Sequence, residues 1–195
     1  MRARLAWLYR LGGDETASAA ALAEAHRLAA GVAWPGALAE LALVRAYLAR
    51  HDGDADEAYA QLRSVSALLG DEADLASVRA GTQDLLGYLA EDVEQARTHR
   101  AAACRAAREG GYAPLTAQVL VGVADLALRL DRPDHAARLL GAATAVRGLS
   151  DRAHPDVPRI EAAARDRLGD AEFAEAVAQG RETGWERLVE ITLAS

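Results

Sequence analysis

The sequence predicts an all-α fold in which antiparallel helix hairpins stack into a solenoid. Strand signals are nearly missing: no stretch sustains period-2 alternation, and valine, isoleucine and aromatic residues never cluster between turn residues. Helical runs of ordinary length instead lie between breaks at Gly12-Gly13, Gly31 to Pro35, His51 to Asp54, Gly70-Asp71, Glu91-Asp92, Gly110 to Pro114, Asp131 to Asp134, Gly148 to Pro155, Gly169-Asp170 and Gly184. Two kinds of helix alternate between these breaks, and matching entries to the second kind recur at a near-constant interval.

In chain order, the first hairpin starts almost at Met1 with a short inner helix, Ala3 to Leu11, that has no recognisable polar cap and reads as a cut or partner-dependent edge. Its outer helix has two open registers, on Ala17 or on Ala21. Leu38, Leu41, Leu43, Val44, Tyr47 and Leu48 mark the next inner helix, apolar on more than one side, and Pro114 to Leu130 is apolar nearly all round. Asp54 to Leu69 is the other type: Ala58, Leu62, Val65 and Leu69 share one face, with Gln61, Arg63 and Ser64 off it. The entry Gly53-Asp54-Ala55-Asp56-Glu57-Ala58 nearly matches Gly169-Asp170-Ala171-Glu172-Phe173-Ala174. Weaker copies stand at Glu91 to Ala96 and Asp131 to Ala136, so Ala58, Ala96, Ala136 and Ala174 are spaced 38, 40 and 38 residues apart. A two-helix period of this length marks a repeat array, because a lone hairpin cannot bury its own apolar face. The chain reads as a single domain with repeats over about 1–33, 34–70, 71–112, 113–150 and 151–183 and a capping helix over 184–195. Thr183-Gly184-Trp185-Glu186 fits a capping box, and Trp185, Leu188 and Val189 form the inward stripe of that last helix.

These residues resemble the tetratricopeptide family. That pattern sets a small residue early in the second helix and a larger apolar one four positions later, as in Ala58-x3-Leu62 and Ala136-x3-Leu140, and wants a small residue where the pair crosses, a part that suits Gly81 and Gly122. The spacing exceeds the ~34 residues of the standard repeat, and Ala96-x3-Arg100 departs from it. The resemblance implies a right-handed superhelix with a concave groove. From Asp134 to Ala194 the chain also looks like the end of actinobacterial LuxR-type, signal-transduction-ATPase and antibiotic-pathway transcriptional regulators, through Ala136 to Ala143, Arg167 to Phe173, Ala178 to Arg181 and Trp185 to Val189. That likeness implies a C-terminal sensor or autoinhibitory array whose nucleotide-binding and DNA-binding parts lie elsewhere.

Composition narrows the function classes. The chain has 195 residues, 51% of them hydrophobic, enough for a sizeable core. Its formal charge of -7 excludes a nucleic-acid surface, which needs concentrated cations to displace counterions. No apolar run approaches the ~18 residues of a membrane span, and Met1 to Leu11 does not resemble a secretory signal, so the chain reads as cytoplasmic. All basic residues other than histidine are arginine, and lysine and asparagine are absent, the mark of a GC-rich coding sequence. A lysine-free chain holds no phosphate-binding GxxxxGK[ST] loop.

Catalytic and metal chemistry finds no footing. Cys104 stands alone in an alanine-rich helix and reads as a small packed residue. Asp52 to Asp56 starts like a calcium loop, but Glu57 stands where glycine is required and Arg63 where the bidentate glutamate is, so Asp54 and Glu57 read as helix caps. His26, His51, His99, His135 and His154 have no metal-binding spacing. No catalytic residue, cofactor or metal is expected, and a helical enzyme would need an enclosed pocket with convergent ionisable groups.

Two sets of residues bear on binding. Glu40, Arg45, Gln83, Gln118 and Asp125 interrupt inner helices, where a polar group must be paired. They either face the groove and hold a partner segment or pair with one another. Arg97, Arg100 and Arg108 fall on one side of the helix 95–108 and form either a dock for an acidic partner or a solvated face, the second being the usual meaning of such runs. The expected function is a non-catalytic interaction and regulatory module that binds a protein, a peptide, a small effector or other domains of its own regulator. A free-standing adaptor that joins partners, with the first hairpin as a homodimer contact, is the alternative.

Overall fold

The computed structural model describes residues 2–31, 34–69, 75–149 and 154–194, and among these it contains eleven α-helices and no strand. They are α1 (Arg2–Leu11), α2 (Glu15–Ala29), α3 (Pro35–His51), α4 (Ala55–Leu69), α5 (Ala76–Leu89), α6 (Val93–Gly110), α7 (Ala113–Arg129), α8 (Pro133–Arg147), α9 (Asp156–Leu168), α10 (Asp170–Glu182) and α11 (Trp185–Leu193). The fold is therefore all-α, and the helix limits fall at the breaks expected from glycine, proline and aspartate. The expected breaks at Gly70-Asp71 and between Gly148 and Pro155 lie partly outside the described residues.

Helices adjacent in sequence pack as pairs: α1 with α2, α3 with α4, α5 with α6 and α7 with α8. The first members also touch in series, α1 on α3, α3 on α5, α5 on α7 and α7 on α9. Helix α7 is the most enclosed, with every residue from Leu115 to Ala127 buried except Gln118, as its continuous apolar pattern requires.

Three of the pair turns are built alike. At the ends of α1, α3 and α7 the chain passes through a left-handed residue, Gly13 at φ 79°, Gly53 at φ 82° and Asp131 at φ 58°. The next amide then donates back to a carbonyl five residues earlier: Asp14 to Tyr9 at 2.9 Å, Asp54 to Ala49 at 2.8 Å and Arg132 to Ala127 at 2.9 Å. This Schellman geometry satisfies the last free carbonyls of each first helix. Aspartate oxygens cap α2, α4 and α6, Asp14 accepting from the amide of Ala17, Asp54 from that of Glu57 and Asp92 from that of Gln95, each at 2.9 Å, whereas α8 begins at Pro133 without a side-chain cap. Glu57 does not complete a capping box. Its carboxylate accepts instead from Arg45 and Gln61.

The C-terminal part differs from the expected repeat. Ala58, Ala96 and Ala136 are each fully buried at the start of their helices, but Ala174 is exposed and its neighbour Phe173 is buried. The reason is a crossing between α8 and α10, which pack more extensively on each other than either does on α9. At that crossing a Cβ on Gly180 would meet the Arg138 carbonyl carbon and Cα at 2.6 Å, and one on Gly141 would run into the Val177 carbonyl. The two glycines let the backbones touch, and this turns α10 away from the register of the earlier second helices.

Helix α11 packs on α6, α7 and α8, with Leu188, Val189 and Thr192 buried and Trp185 half-buried against the same core. The expected capping box is absent: the Thr183 hydroxyl donates to the Gln179 carbonyl at 2.8 Å, and Gly184 occupies the N-cap position. The far end of α11 is held by arginines, Arg97 donating to the Leu193 carbonyl at 3.2 Å and Arg132 to that of Ile191 at 3.4 Å, where cations complement the helix dipole.

The α8–α10 crossing gives a direct test. Gly180→Ala adds a methyl with no room at the carbonyl of Arg138 and is expected to cost about 1–3 kcal/mol in urea unfolding. Gly110→Ala, whose Cβ would meet Ala76 Cβ at an ordinary 3.6 Å, is expected to be neutral or slightly stabilising.

Candidate functional site

A cavity of about 340 Å³ opens among α1, α3, α5 and α7, with the start of α9 closing one side. Its walls are largely apolar and aromatic. Trp7 stacks on Tyr47 with ring centroids 5.4 Å apart, and Leu43, Val44 and Leu115 complete the sides. Leu8 and Tyr112, both well exposed, stand at the mouth with the Arg4–Glu40 ion pair, whose polar atoms are 2.5 Å apart.

The floor is polar and held by an ion chain that crosses five helices. Arg100 of α6 is fully buried, and its Nη1 donates to the carbonyl of Asp84 on α5 at 2.7 Å and also to the Asp84 carboxylate. The other Nη lies 3.9 Å from Asp125 of α7. Arg159 of α9 donates to Asp125 at 2.6 Å and to Asp156 at 3.0 Å. Arg50 of α3 grips Asp156 with two bonds of 3.0 and 2.8 Å. Three carboxylates and three guanidiniums alternate, and the chain carries no net charge.

Glycine makes this possible. A Cβ on Gly87 of α5 would meet Arg100 Nε at 2.8 Å, and one on Gly122 of α7 would fall inside the guanidinium. Arg100 thus runs through a corridor left by two missing side chains. Its Nε and Nη2 have no hydrogen-bond partner, and their charge is met by the Tyr88 ring, 3.9 Å from the guanidinium carbon. Arg50 lies against the same ring at 4.0 Å.

Burial pushes the Asp84 carboxyl up to about 6, against the pull of Arg100 and Gln118. Burial opposes ionisation of Asp156 too, but there the hydrogen bonds from Arg50 and Arg159 prevail and hold it below the usual carboxylate range. Burial alone dominates at Cys104, whose thiol is raised to about 12 and is inert on its packed helix.

The residues expected to face the groove divide. Glu40 and Gln118 line the cavity, the first paired with Arg4 and the second donating its amide to the Tyr47 hydroxyl at 2.7 Å and to Asp84 at 3.4 Å. Arg45 turns to Glu57 of α4 at 3.0 Å. Gln83 accepts from His99 Nδ1 at 2.8 Å, and Asp125 belongs to the ion chain. Burial, then the Arg100 charge, keeps His99 below its ordinary range and hence neutral at pH 7.

The basic face does not exist as expected. Arg100 is internal, Arg97 is covered by α11 and caps it, and only Arg108 of the three is exposed. Equal angular spacing placed them on one side of α6, but that side is where α5, α7 and α11 pack. Asp84, Tyr88, Arg50, Asp156 and Arg159 were not anticipated. One signal pointed to them: Arg100 occupies the position that Leu62 and Leu140 hold in their helices, both buried, and an arginine in a core position requires a buried acid and space beside it. Among the described residues no group of three or more histidine, cysteine or acidic side chains is arranged to hold a metal ion, and no helix is long and apolar enough to cross a membrane.

Comparison with protein-family models, curated proteins and solved structures finds no match to this chain.

The raised Asp84 pKa has a consequence for stability. A folded carboxyl that holds its proton more tightly than the unfolded one contributes stability below about pH 4 that is lost as pH rises through about 6. The non-titrating Asp84→Asn variant is therefore expected to gain on the wild type by on the order of 3 kcal/mol between pH 4 and pH 7.5. Urea unfolding at several pH values measures this. A difference independent of pH would remove the assignment of the titration to Asp84.

Proposed function

We propose that this chain is a non-catalytic regulatory interaction module: a tetratricopeptide-like stack of helix hairpins acting as the C-terminal sensor or autoinhibitory array of a bacterial transcriptional regulator. The observation that carries the interaction role is the cavity on the series α1, α3, α5 and α7, with exposed Leu8 and Tyr112 at its mouth and its floor carboxylates engaged by arginine or glutamine. Apolar walls with a few oriented polar groups suit recognition, whereas carboxylates already committed to guanidiniums are poorly placed for proton transfer. The repeated turns at Gly13, Gly53 and Asp131 support the hairpin-repeat reading. The regulator assignment rests on the residue likeness between Asp134 and Ala194 alone. Occupancy of a cavity built from several hairpins would bias their packing and so the state of a neighbouring domain.

A free-standing adaptor is the second reading, favoured by exposed Leu8, Tyr9, Leu28 and Trp34 on the first two helices and the entry to α3. The two diverge in one experiment: capture of partners from the source cell on immobilised chain, followed by size-exclusion of the recovered complex. Capture of a regulator's nucleotide-binding domain is expected, and Leu8→Glu with Tyr112→Glu should weaken it at least about tenfold, as loss of a central apolar anchor does. Undiminished capture by the double variant would reject the cavity face as the contact surface, and a chain that only self-associates would favour the adaptor.

A further inference from the structure

One polar side chain on the floor of the chamber is both open to it and unfilled. Every residue of α7 from Leu115 to Ala127 is buried except Gln118, which is half-buried and lines the cavity, so the surface it keeps lies on the chamber. Its amide nitrogen is taken, donating to the Tyr47 hydroxyl at 2.7 Å and to the Asp84 carboxylate at 3.4 Å. The carboxylate also fixes which way the amide lies, since an amide oxygen turned toward Asp84 would set two acceptors against each other. The Gln118 oxygen therefore faces away from both partners. Among the described residues nothing donates to it, and it is not closed off from solvent. The Tyr88 hydroxyl also lacks a partner, but it is sealed from solvent and out of a ligand's reach.

An amide oxygen accepts and cannot donate, so whatever seats on it must bring a donor. The ionic groups of the wall already have partners, Arg4 in Glu40, Arg50 in Asp156 and Asp84 in Arg100, while Arg147 and His154 are also engaged. The hydroxyl of Ser77, on the α5 wall, can turn to give or to take a bond and imposes no choice. Around Gln118 the space is flat-sided and apolar: Tyr47, whose hydroxyl it touches, stacks on Trp7, and Leu43 and Leu115 complete the sides. The volume, about 340 Å³, is that of a pocket for a small organic molecule, at the lower end of the usual range.

We propose that the chamber binds a small organic molecule with a flat apolar body and an N–H or O–H donor, the donor seated on the Gln118 oxygen and the body against Trp7, Tyr47, Leu43 and Leu115. This names a ligand class for the inner face read above as the recognition surface and rests on that reading. Gln118 of α7 is tied to Tyr47 of α3 and Asp84 of α5, so a donor held by its oxygen engages a bond network that spans three different hairpins.

The test measures, by equilibrium dialysis against the full chain at pH 7.5, the binding of carbazole, whose ring N–H donates, and of two molecules of nearly the same shape that do not donate, dibenzofuran and fluorene. Carbazole is expected to bind about 3- to 10-fold more tightly than either, as one hydrogen bond gives. Gln118→Met, with similar reach but no oxygen, should bring carbazole down to the level of the other two and leave those two unchanged. Ser77→Phe, on the α5 wall, should exclude all three. Circular dichroism melts confirm that each variant is folded. If Gln118→Met does not fold, the order of the three ligands on the wild type still decides. No binding of any of the three, carbazole no tighter than its analogues, a carbazole preference that survives Gln118→Met, or binding undiminished by a folded Ser77→Phe overturns the proposal. Partner capture with no ligand binding would end this proposal and leave the interaction module standing, while ligand binding in the expected order without any partner would uphold the site and end the partner role.

Discussion

The pairing of Arg100 with Asp84 is the constraint around which the middle of the molecule is arranged. A guanidinium with none of its surface in water is tolerated only if its charge is met from several sides. Here α5 supplies a carboxylate, a carbonyl and an aromatic face, and α7 supplies Asp125. The same α5 and α7 give up side chains at Gly87 and Gly122 to admit it. Removing either acid without the arginine, or filling either glycine, would leave charge or volume with nowhere to go. Leucine, which stands at the matching positions of α4 and α8, would make no such demands and would pack the hairpin as an ordinary apolar unit.

From Arg100 the ionic contacts run outward to elements far apart in sequence. Asp156, at the first turn of α9, is tied to Arg50 near the end of α3, 106 residues away. This contact brings α9 over the cavity and explains why His154, Pro155 and Asp156 form part of its wall. Alanine-rich helices offer few large side chains with which to specify one packing arrangement, and directional bonds between charged groups supply that specificity at some cost in stability.

Much of the fold was legible because helix ends depend on local chemistry. Gly13, Gly53, Gly111 and Gly148 adopt the left-handed backbone that ends a helix, and Asp14, Asp54 and Asp92 cap the next ones, so the punctuation could be read residue by residue. The burial of Ala58, Ala96 and Ala136 was equally plain. What failed depended on contacts between distant segments. The near-identity of the α4 and α10 entries set Ala174 in the wrong register, since Gly141 and Gly180 rather than the entry decide how α10 lies. Counting angles along α6 put three arginines on one face without revealing that α11 would return to cover Arg97. In an alanine-rich chain the buried and exposed faces of a helix differ little in sequence, and only residues that are costly in the wrong place, such as Arg100, carry the missing information.

The placement of the cavity follows from the same economy. Small residues bring helix pairs close, the space between α1, α3, α5 and α7 is filled only in part by Trp7 and Tyr47, and α9, held to α3 through Arg50–Asp156 and to α7 through Arg159–Asp125, closes one side of it. The ion chain makes its floor rigid and neutral, because each carboxylate is oriented by an arginine that is itself fixed by packing or by a second carboxylate. Anything that occupied this space would touch helices of several hairpins at once, so its presence would be coupled to how those hairpins pack.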